Sequence, residues 1–511
     1  MTLDRDWKGK GTTKSVQKRC ADLGAGLSVV LVAAVSHAQE PPAQKPDTAP
    51  AQSEATANEQ PAPQGLPVAE PTDGATQPQL PDTQNEAPSQ PVPVAADATT
   101  GPAEPDAPSD AASEPVVTES SSPPTTAPPP PTDKKTGDSP GMSWFPEIHG
   151  FVSQGFLITT QNNYLADSED GSFEFTEVGL NFTKQLGNHF RVGMQLFMRD
   201  LGPIGNYKPQ FDWFYLDYRF FDWLGIRAGR TKIPFGLYNE INDIDAARVP
   251  VLLPQSVYPT ESRDSLLAQT GFELYGRTPL TKAGALEYRA YGGTIFVDSS
   301  SADPSIEDFR VPYVVGGRLM WETPLDGLRA GGTYQAVKFD YNLVLTPEEL
   351  QGLKDSGALP AEADSIIAFD LPIQLWVTSL EYSAHDLLLA AEYGRWRARI
   401  KNDASLAVPN STVENERFYA MASYQVVPWF SPGAYYAVYF PDVEDRKGRE
   451  SYQHDIALTL RFDPTEHWLI KLEGHFMSGT AYLNPDLNGG IERSELTRDW
   501  GLFLLKTTGY F

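Results

Sequence analysis

Residues 190–199 read Phe-Arg-Val-Gly-Met-Gln-Leu-Phe-Met-Arg, and they alternate between the two faces of an extended strand. One face carries Phe190, Val192, Met194, Leu196 and Met198, and the other carries Arg191, Gln195 and Arg199. Strand side chains point to opposite sides with a period of two, so one side of this segment is apolar and the other is polar. A single strand of this kind also suits a soluble β-sandwich. A long series of them, with aromatic residues on the apolar face, indicates a membrane barrel.

The same alternation recurs through residues 143–511. Predicted strands lie near 147–160, 172–186, 189–201, 211–222, 224–236, 270–280, 285–297, 309–323, 328–343, 369–384, 387–401, 415–428, 431–441, 452–463, 467–479 and 496–511. Every backbone polar group must be hydrogen-bonded inside lipid, and a closed barrel with an even number of strands achieves this. The predicted fold class is therefore all-β, a transmembrane antiparallel β-barrel of about 16 strands preceded by a disordered Pro-rich segment.

The connections between the predicted strands alternate between short and long. Leu186-Gly187-Asn188 and His385-Asp386 are short turns, whereas the third long connection occupies residues 237–269. Tight periplasmic turns and longer external loops are typical of outer-membrane barrels. A chain that ends in Phe511 on an alternating strand also resembles the C-terminal signal of such proteins.

The first 142 residues divide into two segments by composition. Residues 1–38 join a basic start to the apolar run Leu23–Val35 and end in Ser36-His37-Ala38, a pattern typical of a secretory signal peptide. Residues 39–142 hold about two dozen of the 44 prolines and no Phe, Tyr or Trp, so they cannot build a core. We expect a disordered, acidic Pro/Ala-rich linker that acts as a solvated tether. Contact with the cell wall or a periplasmic partner is the alternative.

Charge and cysteine content argue against several functions. The formal net charge is -27, and nucleic acid is not an expected partner because a phosphate-binding surface should be basic. The only cysteine, Cys20, lies in the predicted signal peptide, so the mature chain would carry no disulfide and no thiolate ligand. We expect no metal site and no cofactor.

One motif carries a family resemblance. Arg227-Ala228-Gly229-Arg230-Thr231-Lys232-Ile233-Pro234-Phe235-Gly236 is similar to the R-x-G-x-x-K-x-P-F-G segment of phosphate-selective and related specific porins of Gram-negative bacteria. The resemblance implies a sixteen-strand porin, expected as a homotrimer, whose third long loop folds inward and narrows the pore. Relatives of the phosphate-selective type line their constriction with lysines. The barrel part of this chain has only ten lysines, which argues against phosphate selectivity.

Charged residues of the third loop and of three strands are the candidates for the pore lining. The loop carries Glu240, Asp243, Asp245, Arg248, Glu261, Arg263 and Asp264. The eleventh strand sets Arg395, Arg397 and Arg399 on one face, about 7 Å apart in succession. Arg191, Arg199, Asp217 and Arg219 complete the set. Acidic groups facing an arginine ladder predict a transverse field at the narrow point, and a solvated or salt-bridged wall is the alternative for the arginines.

We therefore expect an outer-membrane porin, a water-filled channel for passive diffusion of small hydrophilic solutes or ions. Its other partners would be outer-membrane lipid and lipopolysaccharide. One alternative is a barrel-anchored adhesin or structural envelope protein. A further alternative is an outer-membrane hydrolase, which needs a serine activated by a histidine. The predicted barrel, residues 143–511, contains no Gly-x-Ser-x-Gly segment, and we do not expect an enzyme.

Overall fold

The computed structural model describes residues 145–296 and 305–511. Sixteen antiparallel strands in these ranges form a closed barrel, in which each strand pairs with its neighbours in sequence and β1 pairs with β16. This confirms the predicted antiparallel β-barrel of sixteen strands. The predicted signal peptide, the predicted linker and part of the loop expected at 298–308 lie outside the described residues.

The strands are β1 Glu147–Thr159, β2 Phe175–Leu186, β3 Phe190–Leu201, β4 Gln210–Phe221, β5 Leu224–Lys232, β6 Ala268–Pro279, β7 Ala285–Thr294, β8 Ile306–Glu322, β9 Leu328–Val344, β10 Ile366–Ala384, β11 Leu387–Asn402, β12 Ser411–Tyr424, β13 Phe430–Phe440, β14 Gln453–Thr465, β15 Trp468–Gly479 and β16 Asp499–Tyr510. Two α-helices are described, α1 Arg263–Leu266 and α2 Pro347–Asp355. Within the described ranges no helix has both the length and the apolar character needed to cross a bilayer.

The outer face of the barrel is apolar where the alternating pattern predicts it. On β4, Phe214, Leu216, Tyr218 and Phe220 are all exposed, whereas Asp217 between them is only 5% exposed. The exposed series faces away from the barrel axis because neighbouring strand residues point to opposite sides. An apolar exterior on a closed sheet is stable only against lipid.

The inner face is not polar throughout, which corrects one expectation. On β9 and β10 the inward side chains Val337, Phe339, Leu375 and Val377 are at most 2% exposed and form one apolar cluster with Leu353 of α2. The long loops fold over this wall and cover it with apolar side chains. Inward residues here contact protein instead of water, so the simple assignment of polar residues to the inside fails at this wall.

The strands differ in length around the barrel. Strands β8 to β11 contain 17, 17, 19 and 16 residues, whereas β5 contains nine. A tilted strand needs about 9–11 residues to cross the hydrocarbon layer. Because β10 and β11 are joined by the short turn 385–386 at one end, their extra residues extend past the hydrocarbon at the end where the long loops lie.

Candidate functional site

The candidate site is the third long connection, residues 233–267 between β5 and β6, which folds into the barrel. We call it the inward loop. Ile233 and Leu267, its first and last residues, are both 0% exposed. Gly236 lies near its start with φ +60°, a left-handed conformation that glycine adopts without steric cost. A Cβ at this position would lie 2.4 Å from the Tyr258 hydroxyl oxygen, so glycine allows the chain to turn into the lumen.

One carboxylate on β11 holds both limbs of the inward loop. The Leu237 backbone N–H donates to Glu392 Oε1 over 3.0 Å, and the Tyr258 hydroxyl donates to Glu392 Oε2. Tyr419 of β12 donates to the same carboxylate over 2.8 Å. A second carboxylate, Glu381 of β10, accepts a hydrogen bond from the Tyr238 hydroxyl over 3.0 Å. The two limbs are therefore tied to each other and to one wall.

The loop then meets a cationic wall formed by β7 and β8. Glu240 forms ion pairs with Arg289, at 3.0 Å, and with Arg318, at 3.1 Å. Burial by itself would raise the pKa of the Glu240 carboxyl, but the two guanidinium groups outweigh it and lower that pKa overall. Glu240 is consequently held as an anion between two wall cations.

Asp243 and Asp245 carry the loop across the lumen to the opposite wall. Asp243 pairs with Lys232 of β5 at 2.5 Å. Asp245 pairs with Lys471 of β15 at 2.9 Å and accepts a hydrogen bond from Thr508 of β16 over 2.8 Å. Burial would raise the Asp245 pKa, but Lys471 and other nearby cations lower it strongly. Lys471 is 0% exposed, so Asp245 neutralises a cation that has no access to solvent.

The tip of the loop rests on β15. The backbone N–H groups of Val251 and Leu252 donate to the two carboxylate oxygens of Glu473, each over 2.8 Å. The side chains of Val251 and Leu252 are 0% and 3% exposed. They belong to an apolar cluster with Leu165 of the first long loop and Leu483 of the last one. The tip is therefore held by polar contacts from the wall and by apolar packing from two external loops.

The returning limb contacts β12 and then β3 and β4. Arg417 of β12 donates to the Ser256 carbonyl over 2.7 Å. Asp264 pairs with Arg199 of β3 at 3.2 Å, and Arg263 pairs with Asp212 of β4 at 2.6 Å. The inward loop thus contacts walls on several sides of the barrel, and its carboxylates meet cations that project from the strands.

The structure places the predicted site residues as follows. Glu240, Asp243, Asp245, Arg248, Glu261, Arg263 and Asp264 lie in the inward loop, and Arg199 and Asp217 point inward and are buried. Asp217 pairs with Arg227 at 3.2 Å. Arg191 lies opposite Asp217 in the strand register and Arg219 follows it by two positions, so both lie on the inner face near the short turns. The structure does not bring this pair into contact with the inward loop.

Glu261 and Arg248 have distinct surroundings within the loop. Burial raises the pKa of Glu261 to about 7, and Arg493 of the last long loop opposes this rise only in part. Arg248 donates to the carbonyls of Pro250 and Val251 and lies 3.6 Å from Asp245, so it bridges the turn at the loop tip.

Arg395, Arg397 and Arg399 do not line the lumen, which corrects the prediction made for them. Glu392 and Trp396 on the same strand face inward, where they contact Tyr258 and Phe235 of the inward loop. The odd-numbered arginines therefore lie on the outer face. They were misplaced because the inner face of this part of β11 is apolar and the outer face is charged.

Sequence reasoning missed most of the wall residues that hold the loop. They are Arg289, Arg318, Glu381, Glu392, Arg417, Lys471, Glu473 and Lys506. Lys471, Glu473 and His475 occupy alternate positions of β15, and this run of charge on one face was a usable signal. Pairing Lys471 and Glu473 with loop residues more than 200 positions away was not possible from local sequence.

His475 bears on the hydrolase alternative. Its ring nitrogens lie 2.9 Å from Asp455 Oδ1 and 3.1 Å from Glu473 Oε1. Both nitrogens are therefore engaged by carboxylates, and neither is available to accept a serine proton. A hydrolase triad needs one free histidine nitrogen against the nucleophile.

Comparison with known proteins returned likeness of fold only. No protein-family model matches the chain, and no curated protein matches its sequence. The outer-membrane expressed OmpT of Vibrio cholerae is similar at 8% identity and TM-score 0.46, over 72% of this chain and 97% of that chain. The anion-selective porin from Comamonas acidovorans is similar at 13% identity and TM-score 0.45, over 72% and 99%. The outer membrane channel DcaP of Acinetobacter baumannii is similar at 11% identity and TM-score 0.44, over 72% and 97%.

At these identities and TM-scores the likenesses carry no statement about function, and the resemblance to phosphate-selective and related specific porins stays a prediction. The assignment to a membrane rests on the molecule itself. It combines sixteen antiparallel strands that close without an edge, an apolar exterior, and short turns that alternate with long loops. These features place the chain in the outer membrane of a Gram-negative bacterium.

Proposed function

We propose that this chain is a porin, a channel for passive diffusion of small hydrophilic solutes or ions, in which the inward loop narrows the lumen. The observation that carries the proposal is the course of residues 233–267. They cross from β5 to β15 and return to β6 while remaining inside the barrel. A barrel that serves only to anchor an external loop does not require a folded, charged segment in its interior.

The electrostatics of the site support a filtering role. Glu240 and Asp245 of the loop are in contact with Arg289 and Lys471 of the wall, so acidic loop groups and basic wall groups meet as ion pairs inside the barrel. Charges placed at a narrow point in a low-dielectric surround act strongly on a passing solute. The proposal thus keeps the expected transverse field but assigns its cationic side to Arg289 of β7 and Arg318 of β8.

Planar-bilayer recording with the purified full-length chain tests the proposal. A channel gives stepwise current, whereas a plugged anchor, an adhesin or a barrel hydrolase gives none. The informative variant is Arg289→Gln with Arg318→Gln, which removes two wall cations and leaves Glu240 without its partners. We expect its reversal potential in a salt gradient to shift toward cation preference.

The matched control removes the same number of arginines from the outer face. Arg397→Gln with Arg399→Gln should leave the reversal potential unchanged, because these residues lie outside the lumen. Heat-dependent mobility of the unboiled protein on a gel reports that both variants fold as barrels. Absence of current from the parent chain, or equal reversal potentials in all three proteins, would contradict the proposal.

Homotrimer formation is a separate part of the proposal. The apolar outer residues of β4, for example Phe214 and Leu216, would suit either lipid or a neighbouring barrel. Light scattering of the protein in detergent, with the detergent mass subtracted, distinguishes one barrel from three. The linker contact with the cell wall also stays a prediction, since residues 39–142 lie outside the described ranges.

A further inference from the structure

The outer face of β11 carries a row of cations. Arg395, Arg397, Arg399 and Lys401 alternate along the strand on the side away from Glu392 and Trp396. We call these four residues the basic ladder. Successive rungs are about 7 Å apart, so the ladder extends for about 20 Å along the strand.

The ladder lies at the height where the hydrocarbon layer ends. Strand β11 has 16 residues and begins at the short turn 385–386. About 9–11 residues cross the hydrocarbon, which brings the chain from Leu387 to about Arg397. Below the ladder the same face carries Leu389, which is 42% exposed, and Tyr393. The basic ladder therefore starts where the apolar exterior stops, on the side of the long loops.

Three of the four rungs have no acidic partner in the described part of the chain. Arg395 is paired with Glu414, at 2.9 Å, and with Glu416, at 3.4 Å. Within residues 145–296 and 305–511 no ion pair is formed by Arg397, Arg399 or Lys401, and all three are exposed. Carboxylates lie opposite two of them in the strand register, Glu414 across from Arg397 and Asp370 across from Lys401, but these acids pair with Arg395 and Lys338 instead. Unneutralised cations at this height indicate an external anion.

We propose that the basic ladder binds the phosphate groups of lipopolysaccharide in the outer leaflet. Guanidinium groups donate two parallel hydrogen bonds to a phosphate, and they are less strongly hydrated than ammonium groups. Anionic head groups attract cations placed at the membrane surface. The apolar surface beside and below the first rung, with Trp376 next to Arg395 and with Tyr393 and Leu389 below it, lies where the acyl chains of the same lipid would pack. The inference does not depend on the proposed pore, since the ladder lies outside the lumen.

The test measures lipid binding by the full-length chain in a neutral detergent. The probes are diphosphoryl lipid A, the same lipid with both phosphates removed, and inorganic phosphate. The variant is Arg397→Gln with Arg399→Gln, and the matched control is Arg277→Gln with Lys282→Gln. Arg277, which pairs with Glu322, and Lys282 are exposed cations at the short-turn end of the barrel.

We expect the parent chain and the control to bind diphosphoryl lipid A equally. Each lost arginine should weaken binding about fivefold near an anionic lipid surface, and the pair about thirtyfold. Adding Lys401→Gln should weaken it further, and raising the salt concentration should narrow the difference because the contacts are exposed.

Four outcomes would overturn the proposal. Equal affinity of variant and control would show that the ladder does not bind the lipid. Equal affinity for the dephosphorylated lipid would assign binding to the acyl chains. Displacement of lipid A by millimolar inorganic phosphate would indicate a site for free anions. A change in oligomer size caused by the substitutions in the absence of lipid A would identify the ladder as a contact between copies of the chain.

Discussion

Asp245 is the residue whose removal should most disturb the inward loop. Replacing it as Asp245→Asn keeps the volume of the side chain and removes its charge. Lys471 and Lys506, both 0% exposed, then lose the carboxylate that lies 2.9 and 3.6 Å from them. Lys506 keeps Glu177 at 2.6 Å, whereas Lys471 keeps only carbonyl oxygens, such as that of Arg248 at 2.9 Å. The uncompensated cation is therefore Lys471.

The size of the effect follows from the burial of that cation. Removing one partner of a buried ion pair costs about 3–5 kcal/mol. The lower end applies here because carbonyl oxygens still solvate the Lys471 ammonium group. A loss of about 3 kcal/mol in the free energy of local opening accelerates amide exchange on the order of a hundredfold. The amides of Val251 and Leu252 report it, since they donate to Glu473 only while the tip is docked.

Hydrogen exchange with mass spectrometry on peptides that cover residues 245–253 measures the change. The control is Asp264→Asn at the other end of the loop, where Arg263 keeps its pair with Asp212. That variant should leave exchange at 245–253 unchanged. A double variant, Asp245→Asn with Lys471→Met, should recover part of the lost protection because no buried cation is left unpaired. Exchange in Asp245→Asn that matches the parent chain would refute the assignment of Asp245 as an anchor.

Three further predictions concern the two limbs of the loop. Gly236→Ala should destabilise the turn by at least about 1 kcal/mol, because φ is positive and the new methyl group meets Tyr258; exchange of the 234–240 peptide checks this. Glu392→Gln should cost about 1.5–3 kcal/mol of local stability, since the carboxylate accepts charge-assisted hydrogen bonds from both limbs. Amide exchange in the 237–240 and 256–259 peptides that equals exchange in the parent chain would contradict this. Burial raises the pKa of Glu261 to about 7. Glu261 in the packed loop therefore keeps its proton up to a higher pH than Glu261 in an opened, solvated loop. The protection factor near residue 261 should therefore fall as pH rises from about 5 to 8, and Glu261→Gln should abolish that dependence.

The barrel could be predicted from the sequence because its evidence is local. Alternation with a period of two and short polar turns define each strand within about ten residues. The largest error in the strand boundaries was at the twelfth strand, predicted at 415–428 and observed at Ser411–Tyr424. Val426 and Val427 continue the apolar composition of a strand, but they belong to the turn that leads to β13.

The partners in the candidate site could not be predicted from the same signals. The acids of the inward loop were identified, but Asp245 and Lys471 are separated by 226 positions, and only the closed barrel brings them together. The basic ladder was misplaced for another reason. The assignment of charged residues to the inside holds only where the outside is hydrocarbon, and β11 is long enough to extend past it.

The docking of the inward loop has a consequence for assembly. The loop emerges after β5, yet Asp245 accepts a hydrogen bond from Thr508 on the final strand, 263 positions later in the chain. The inward loop therefore cannot complete its contacts until nearly the whole polypeptide has folded into the barrel, and such distant pairing slows folding. The seam between β1 and β16 completes the sheet and also supplies part of the surface on which the loop settles. Loss of the last strand should consequently leave the barrel unclosed and the inward loop detached from the wall.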